Sequence, residues 1–170
     1  IYMPLNALYP LMSLKYFSGT AYHASAVEIA FASGMLLGGL VLGVWGGFKR
    51  RSVTIVMSIV MMGASLTVSG FLPSNGFLFF VVCCLFMGFA VPFYSAVEMA
   101  LFQQKIESTY LGRVFSLVGS LVSISMPLGL LLSASFADKV GVNQWFAISG
   151  ILILGIALVS YLLPAIRHLD

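Results

Sequence analysis

The chain has 170 residues, of which 61% are hydrophobic and only 8% are charged, and its formal net charge is +3. Soluble domains carry about 25% charged residues, so this composition excludes an ordinary soluble protein and indicates one that is embedded in membrane lipid. The excess of Lys and Arg follows a membrane topology described below, so we predict no nucleic-acid partner.

The first apolar run, residues 1–14, is too short to cross a bilayer. At about 1.5 Å per residue it reaches only about 21 Å, whereas the hydrocarbon core is about 30 Å thick. It starts with Ile1, contains two prolines and lacks the basic start of a signal peptide. We interpret it as the end of a transmembrane helix whose beginning precedes the chain.

One face of this first run is polar. Tyr2, Asn6, Tyr9 and Ser13 recur at helical spacing and therefore share a face. Polar groups are costly in lipid, and prolines are typical of discontinuous helices around transport sites. We predict that Asn6, Tyr9 and Ser13 line a substrate cavity. Hydrogen bonding to a neighbouring helix is the alternative.

Five longer apolar runs follow, each with about the 20 residues that a spanning helix needs. They cover residues 26–48, 53–72, 77–102, 111–137 and 145–163. Polar turn residues separate them. The sequence therefore predicts an all-α membrane protein with five complete spans after the short first run.

The first complete span carries two glycine stripes. Gly34 and Gly38 form one pair at a spacing of one helical turn, and Gly39 and Gly43 form a second. Glycines allow helix backbones to approach closely in lipid, so we predict that both pairs are helix-packing surfaces. A role in the sliding of helices during transport is the alternative.

The start of the same span contains an apparent helix cap. Ser25 and Glu28 have the spacing of a capping box, in which the two side chains bond the first free amides of a helix. We therefore predict that the helix begins beside Ser25 and assign Glu28 to capping.

The third complete span contains three polar residues near its end. Tyr94 and Glu98 lie one turn apart, with Ser95 beside them and a proline two residues before Tyr94. A carboxyl group withdrawn from water can bind and release a proton, so Glu98 is the candidate proton carrier. We predict that Tyr94 and Ser95 line the cavity. An ion pair of Glu98 with Lys105 or Arg113 near the membrane surface is the alternative.

The fourth complete span also carries a stripe of small residues. Ser116, Ser120 and Ser123 recur on one helical face. We predict that Ser116 and Ser120 belong to a packing surface, as small residues do between membrane helices.

The positions of Lys and Arg predict the orientation, because basic residues in short loops stay on the cytoplasmic side. Only Lys15 and Lys139 fall on one side. The other side carries Lys49, Arg50, Arg51, Lys105, Arg113 and Arg167. The loop after residue 48, the loop after residue 102 and the C-terminus are therefore predicted to be cytoplasmic.

Sequence motifs for catalysis and metal binding are missing. The chain has no GxxxxGK[ST], GxSxG or HExxH. Its only cysteines, Cys83 and Cys84, are adjacent within an apolar run, and His23 and His168 are far apart in sequence. We therefore predict that the protein is not an enzyme, with no catalytic site, no metal site and no cofactor.

Several longer stretches together resemble a known family. They are residues 2–10 (YMPLNALYP), 31–36 (FASGML), 80–84 (FVVCC), 91–95 (VPFYS), 100–103 (ALFQ), 110–116 (YLGRVFS) and 136–143 (FADKVGVN). In order, and over essentially the whole chain, they resemble the C-terminal half of a major facilitator superfamily drug exporter of the macrolide efflux (Mef-type) branch. The loop over residues 43–51 departs from the family pattern, because it keeps glycines and basic residues but has no Asp.

The resemblance implies a twelve-helix fold made of two six-helix halves. The chain would supply the end of helix seven and helices eight to twelve, and helices seven and ten would line a cavity between the halves. It further implies proton-driven export of macrolide-like amphiphilic drugs by alternating access in a bacterial plasma membrane, with the N-terminal half as partner. A non-transporting membrane scaffold or partner subunit is the alternative.

Overall fold

The computed structural model describes residues 9, 12–17, 19–47 and 51–162. A π-helical segment, Met12–Tyr16, is followed by five α-helices. These are α1 Ala21–Trp45, α2 Arg51–Phe71, α3 Phe77–Lys105, α4 Ser108–Val140 and α5 Val142–Leu162. Within the described ranges, all five are long and apolar enough to cross a membrane. The all-α membrane fold class predicted from the sequence is confirmed.

Helix α1 begins earlier than predicted, at Ala21 rather than at residue 26. Its N-cap is Thr20, whose backbone N–H donates to Nδ1 of His23 at 3.1 Å. Ser25 lies inside the helix, where its hydroxyl donates to the carbonyl of Ala21 at 3.1 Å. The predicted capping role of Ser25 and Glu28 is therefore wrong. A serine in the second turn can bond the carbonyl four residues earlier, so the same spacing also arises within a helix.

Helices α1 and α3 pack with their backbones in contact. A Cβ atom added to Gly34 would overlap the carbonyl oxygen of Leu85, and one added to Gly38 would overlap that of Phe89. In return, a Cβ atom on Gly88 of α3 would overlap the carbonyl oxygen of Phe31. Such close approach increases van der Waals contact between helices, which is a main source of their association in lipid.

Helices α2 and α5 form a second close pair. Added Cβ atoms on Gly70 and Gly150 would overlap backbone nitrogens, those of Ala147 and Thr67 respectively. At Gly63 an added Cβ would lie 2.9 Å from the Cγ atom of Leu154. Helix α2 also packs on α3, so the two pairs form one bundle.

An aromatic cluster fills the bundle where the π-helical segment meets α1, α3 and α5. Phe80 and Phe146 are fully buried, with ring centroids 6.3 Å apart. Met12 and Leu66 are also fully buried and belong to the same cluster. The cluster anchors the π-helical segment to the bundle, because its closely packed apolar side chains gain dispersion contacts with one another.

Helix α4 lies at the edge of this bundle. No described residue in its most apolar stretch, Thr109–Gly129, is buried. Near its start Phe115 packs edge-to-face on Phe102 of α3, with ring centroids 5.6 Å apart. At its other end Gly141 joins it to α5 with a φ of 95°, a left-handed conformation that favours glycine.

Candidate functional site

Tyr9 is the best-described residue of the polar stripe predicted on the first run. Its side chain is buried, and its hydroxyl donates to Sδ of Met87 on α3 at 3.4 Å. Its ring packs edge-to-face on Phe146 of α5, with centroids 5.5 Å apart. Asn6, predicted to share this stripe, lies outside the described residues. In this chain Tyr9 therefore faces neighbouring helices.

Ser13 follows Tyr9 by one turn and is fully buried. Its hydroxyl donates to the carbonyl of Tyr9 at 3.1 Å, beside the wider π-helical turn Met12–Tyr16. At the end of that turn, the Tyr16 hydroxyl donates to the carbonyl of Leu72 after α2 at 2.8 Å. These bonds satisfy the hydroxyl groups of Ser13 and Tyr16, and the Tyr16 bond joins the segment to the end of α2.

Tyr94, Ser95 and Glu98 form a second polar group on α3. Tyr94 and Glu98 are partly buried and are electrostatic neighbours, whereas Ser95 is exposed. Lys105 and Arg113, the alternative partners of Glu98, are both exposed. The group thus lies where α3 becomes less covered by the other described helices.

Tyr9 of the first polar group contacts the face of α3 that carries Tyr94 and Glu98 of the second, at a different position along the helix. Spacings of three, four and seven residues place Cys84, Met87, Tyr94 and Glu98 along one helical stripe. Tyr9 covers this stripe at Met87, and Tyr94 lies about 10 Å further along the helix. Of the predicted residues of the first run, Tyr9 therefore contacts the same α3 stripe on which Tyr94 and Glu98 lie partly buried.

The sequence did not single out the residues that surround Tyr9. The ring of Tyr9 lies 6.2 Å from that of Phe31 and 6.3 Å from that of Phe80, in addition to its contacts with Met87 and Phe146. The stripe on α3 was a signal that could have identified Phe80 and Met87. No local pattern indicates Phe146, because it comes from α5, which is distant from the first run in sequence.

The predicted packing residues divide into two sets. Gly34 and Gly38 contact α3, as described above, whereas added Cβ atoms on Gly39 and Gly43 would have no atom within 4 Å. On α4, Ser116 and Ser120 are exposed. They line a shallow groove of about 530 Å³ on that helix together with Gly112, Arg113, Leu117, Leu121 and Ile124.

The side chains of the α3 stripe offer a surface suited to binding. The α3 stripe combines apolar, thioether and phenol groups with one carboxyl group. Among the described residues, no group of three or more His, Cys, Asp or Glu could hold a metal ion. A surface with large apolar area and few polar groups accommodates amphiphilic molecules.

Comparison with known proteins decides the family. The sequence profile of the Major Facilitator Superfamily matches residues 1–169. The chain belongs to this superfamily. The predicted resemblance to its macrolide efflux branch is also confirmed, because the chain is 59% identical over 170 residues to Macrolide efflux protein A of Streptococcus pyogenes.

Two further relatives show how far the similarity extends within the superfamily. The chain is 60% identical over 130 residues, or 76% of its length, to Macrolide efflux protein A of Enterococcus faecalis. It is 30% identical over its whole length to Multidrug efflux pump Tap of Mycolicibacterium fortuitum. The matches with the Streptococcus pyogenes and Mycolicibacterium fortuitum proteins cover all of this chain. They cover only 42% and 41% of those two proteins, and the match with the Enterococcus faecalis protein covers 40% of that protein. The chain therefore spans about two fifths of the length of these superfamily members.

Proposed function

We propose that this chain is part of a secondary transporter that exports macrolide-like amphiphilic drugs across a bacterial plasma membrane. The observation that carries the proposal is the 59% identity, over the whole chain, to a protein named for macrolide efflux. The apolar and aromatic character of the helices supports it, because large amphiphiles need extended apolar contact.

In the proposed architecture the chain supplies the C-terminal half of the transporter. The first run is the end of helix seven, and α1 to α5 correspond to helices eight to twelve. The N-terminal half is the partner, and the C-terminus is cytoplasmic according to the distribution of Lys and Arg. The superfamily match and the share of the relatives that the chain covers both support this assignment.

The open faces of α1 and α4 are proposed to contact that N-terminal half. Gly39 and Gly43 leave space beside α1, and Ser116 and Ser120 are small residues on an exposed face of α4. Small residues in lipid permit another helix to approach closely. These faces would then pack and separate as the two halves move during alternating access.

The substrate path is proposed to follow the α3 stripe. Tyr94 and Ser95 would line the cavity, with Asn6, Tyr9 and Ser13 on the facing helix. The buried positions of Tyr9 and Ser13 require that the lining change between states of the transport cycle. Glu98 would carry the coupling proton, since it is a partly covered carboxyl group that continues this stripe.

Drug accumulation in cells tests the proposed function. Cells that express the full reading frame should accumulate less radiolabelled macrolide than cells with an empty vector, and a protonophore should abolish the difference. Equal accumulation would contradict the proposal and would favour a membrane scaffold or partner subunit. Efflux that survives the protonophore would contradict proton coupling.

Substitution of Glu98 tests the coupling residue separately. We expect Glu98→Gln to lower macrolide efflux at least about tenfold, because the amide cannot carry a proton. Gln103→Ala, at an exposed position of the same helix outside the proposed cavity, is the control for expression and folding. Full efflux by the Glu98→Gln variant at normal expression would exclude Glu98 as the proton carrier.

A further inference from the structure

The structure leaves Glu28 without the capping role that the sequence predicted, so its place in α1 needs another explanation. Helix α1 has 25 residues and carries an exposed aromatic ring near each end, since Tyr22 is 86% exposed and Trp45 is 53% exposed. Exposed Tyr and Trp rings at the ends of a membrane helix lie in the headgroup region. These two residues therefore mark the levels at which α1 enters and leaves the bilayer.

These levels place Glu28 inside the hydrocarbon core. Tyr22 and Trp45 are about 34 Å apart along the helix at about 1.5 Å per residue, and the core is about 30 Å thick. Glu28 lies about 9 Å from Tyr22 toward Trp45 and is thus about 7 Å inside the nearer edge of the core. A carboxyl group at this depth is costly in lipid, so it faces protein or water in the complete transporter.

Glu28 lies on a face of α1 that no described helix covers. Successive residues turn by about 100° around the helix axis, which places Glu28 within about 60° of Gly39 and Gly43. Added Cβ atoms on these two glycines would have no atom within 4 Å, and Glu28 itself is exposed. Ser25 and Ala32 complete this surface, which we call the Glu28 face. It combines one carboxyl group with small residues that permit another helix to approach closely.

The other two faces of α1 have different surroundings. The buried face, which includes Gly34 and Gly38, packs on α3. The remaining exposed face is aliphatic and carries Ile29, Leu40 and Val44, as is typical of a helix surface in contact with lipid. Glu28 therefore belongs neither to the α3 contact nor to the surface that suits lipid.

The basic side chains that the structure describes are too far from Glu28 to pair with it. Because α1 and α3 run parallel, with Gly34 beside Leu85, the end of α3 lies about 39 Å along the bundle from Glu28. The described basic side chains, Lys105 and Arg113, are within two turns of that end. Carboxylates inside membranes pair with opposite charges, so the partner of Glu28 lies outside the described side chains.

We propose that the N-terminal half of the transporter covers the Glu28 face and places a Lys or Arg side chain against Glu28. This inference rests on the proposed function, which assigns that half as the partner. The chain covers only 42% of the relative from Streptococcus pyogenes, so the remainder of such a transporter is long enough to supply the covering helix. Gly39 and Gly43 let its backbone approach and exclude water, and the ion pair then compensates the buried carboxylate.

The ion pair stabilises the state of the transport cycle in which the two halves are packed along this face. Loss of the carboxylate leaves an unpaired basic group in the interface, which disfavours the packed state more than the loss of one neutral hydrogen bond does. The charge of Glu28 thus acts on the balance between states, whereas the proposed proton carrier is Glu98.

Site-specific photocrosslinking of the full-length protein in membranes tests which element covers the face. A benzophenone amino acid replaces Met35, which borders the Glu28 face, or Leu40 on the aliphatic face as the matched control; their side chains are 39% and 67% exposed. Crosslinked peptides are mapped by mass spectrometry. We expect position 35 to join the N-terminal half in at least about fivefold higher yield than position 40. Ala32 replaces Met35 as the probe position if the first variant does not fold.

The other possible occupants of the face give different products in the same experiment. Attachment of position 35 mainly to lipid would show that the face is exposed to the bilayer. Attachment to residues 1–170, of the same chain or of a second copy, would assign the face to another helix of this half. Each of these results would overturn the proposal.

The charge is tested by Glu28→Gln, which keeps the size of the side chain and one hydrogen-bond acceptor. We expect this change to lower the crosslink from position 35 at least about threefold, because the basic group of the covering helix is then unpaired. Glu107→Gln is the matched control, since it removes the same charge from an exposed position between α3 and α4 and should keep the yield. An unchanged crosslink in the Glu28→Gln variant would exclude the ion pair.

A second substitution identifies the basic partner. In the Glu28→Gln background, each Lys and Arg in the membrane helices of the N-terminal half is replaced in turn by Gln. One replacement should restore at least about half of the wild-type yield, because removal of both charges leaves neither unpaired. Failure of every replacement would overturn the assignment of a basic partner.

The crosslink is measured without drug, so it is independent of the transport assay. A protein that gives the crosslink but exports no macrolide would contradict the proposed function alone. Macrolide efflux without a crosslink to the N-terminal half would contradict the Glu28 pairing alone.

Discussion

Helix α1 carries two glycine pairs with the same spacing and opposite surroundings. Gly34 and Gly38 lie against the backbone of α3, whereas Gly39 and Gly43 have open space around the position of a Cβ atom. The GxxxG spacing therefore indicates that a second helix can approach, but it does not say which helix does so. Among the described helices, only the first pair has another helix packed against it.

The largest effect expected from this difference concerns folding. Gly34→Leu would drive a side chain into the carbonyl of Leu85, which belongs to helix backbone and cannot rotate away. We expect a loss of about 3 kcal/mol or more in stability, seen as a lower melting temperature and a lower yield of monodisperse full-length protein. Gly39→Leu is the matched control and should keep the melting temperature of the wild type. Equal destabilisation by both variants would contradict the contrast between the two pairs.

A smaller effect is expected when the open pair is tested in transport. If the N-terminal half packs against Gly39 and Gly43 in one state of the cycle, Gly39→Leu disfavours that state without unfolding the bundle. We expect macrolide efflux to fall about fivefold, which corresponds to about 1 kcal/mol, while the melting temperature is retained. Gly155→Leu on α5, another open glycine, should leave efflux unchanged. Normal efflux by Gly39→Leu would remove the functional role proposed for the open pair.

The contrast also shows what the sequence could predict. Hydrophobic length alone predicts the five spanning helices, because the bilayer fixes how many apolar residues are needed. The glycine contacts between α2 and α5 were not predicted, since Gly63 and Gly70 are seven residues apart and the residues they contact lie on a helix that is distant in sequence. Spacing identifies a face, whereas the contacting partner depends on the tertiary arrangement.

The candidate site shows the same limit. Tyr9 and Ser13, which the polar stripe on the first run predicted to line a cavity, are both buried. It did not indicate that the Tyr9 hydroxyl bonds Met87, which lies 78 positions further along the chain. The predicted cap at Ser25 was wrong for a related reason, because one local pattern fits two hydrogen-bond arrangements.

The smallest predicted effect concerns the same type of hydrogen bond in a buried and in an exposed environment. Ser13 and Ser120 each donate to the carbonyl four residues earlier, at 3.1 Å and 2.8 Å, but Ser13 is fully buried and Ser120 is exposed. Ser13→Ala should cost about 1 kcal/mol, because it leaves the Tyr9 carbonyl without this donor and a small void in the aromatic cluster.

Ser120→Ala should change the stability by less than about 0.5 kcal/mol, since Ser120 is exposed on this chain and the proposed contact of its face with the N-terminal half forms in only part of the transport cycle. Thermal melting of the full-length protein in detergent measures both variants. A loss at Ser120 as large as that at Ser13 would show that the α4 face is covered in the complete protein. The serine pair would then locate the N-terminal half on α4, because burial is what gives this bond a measurable effect.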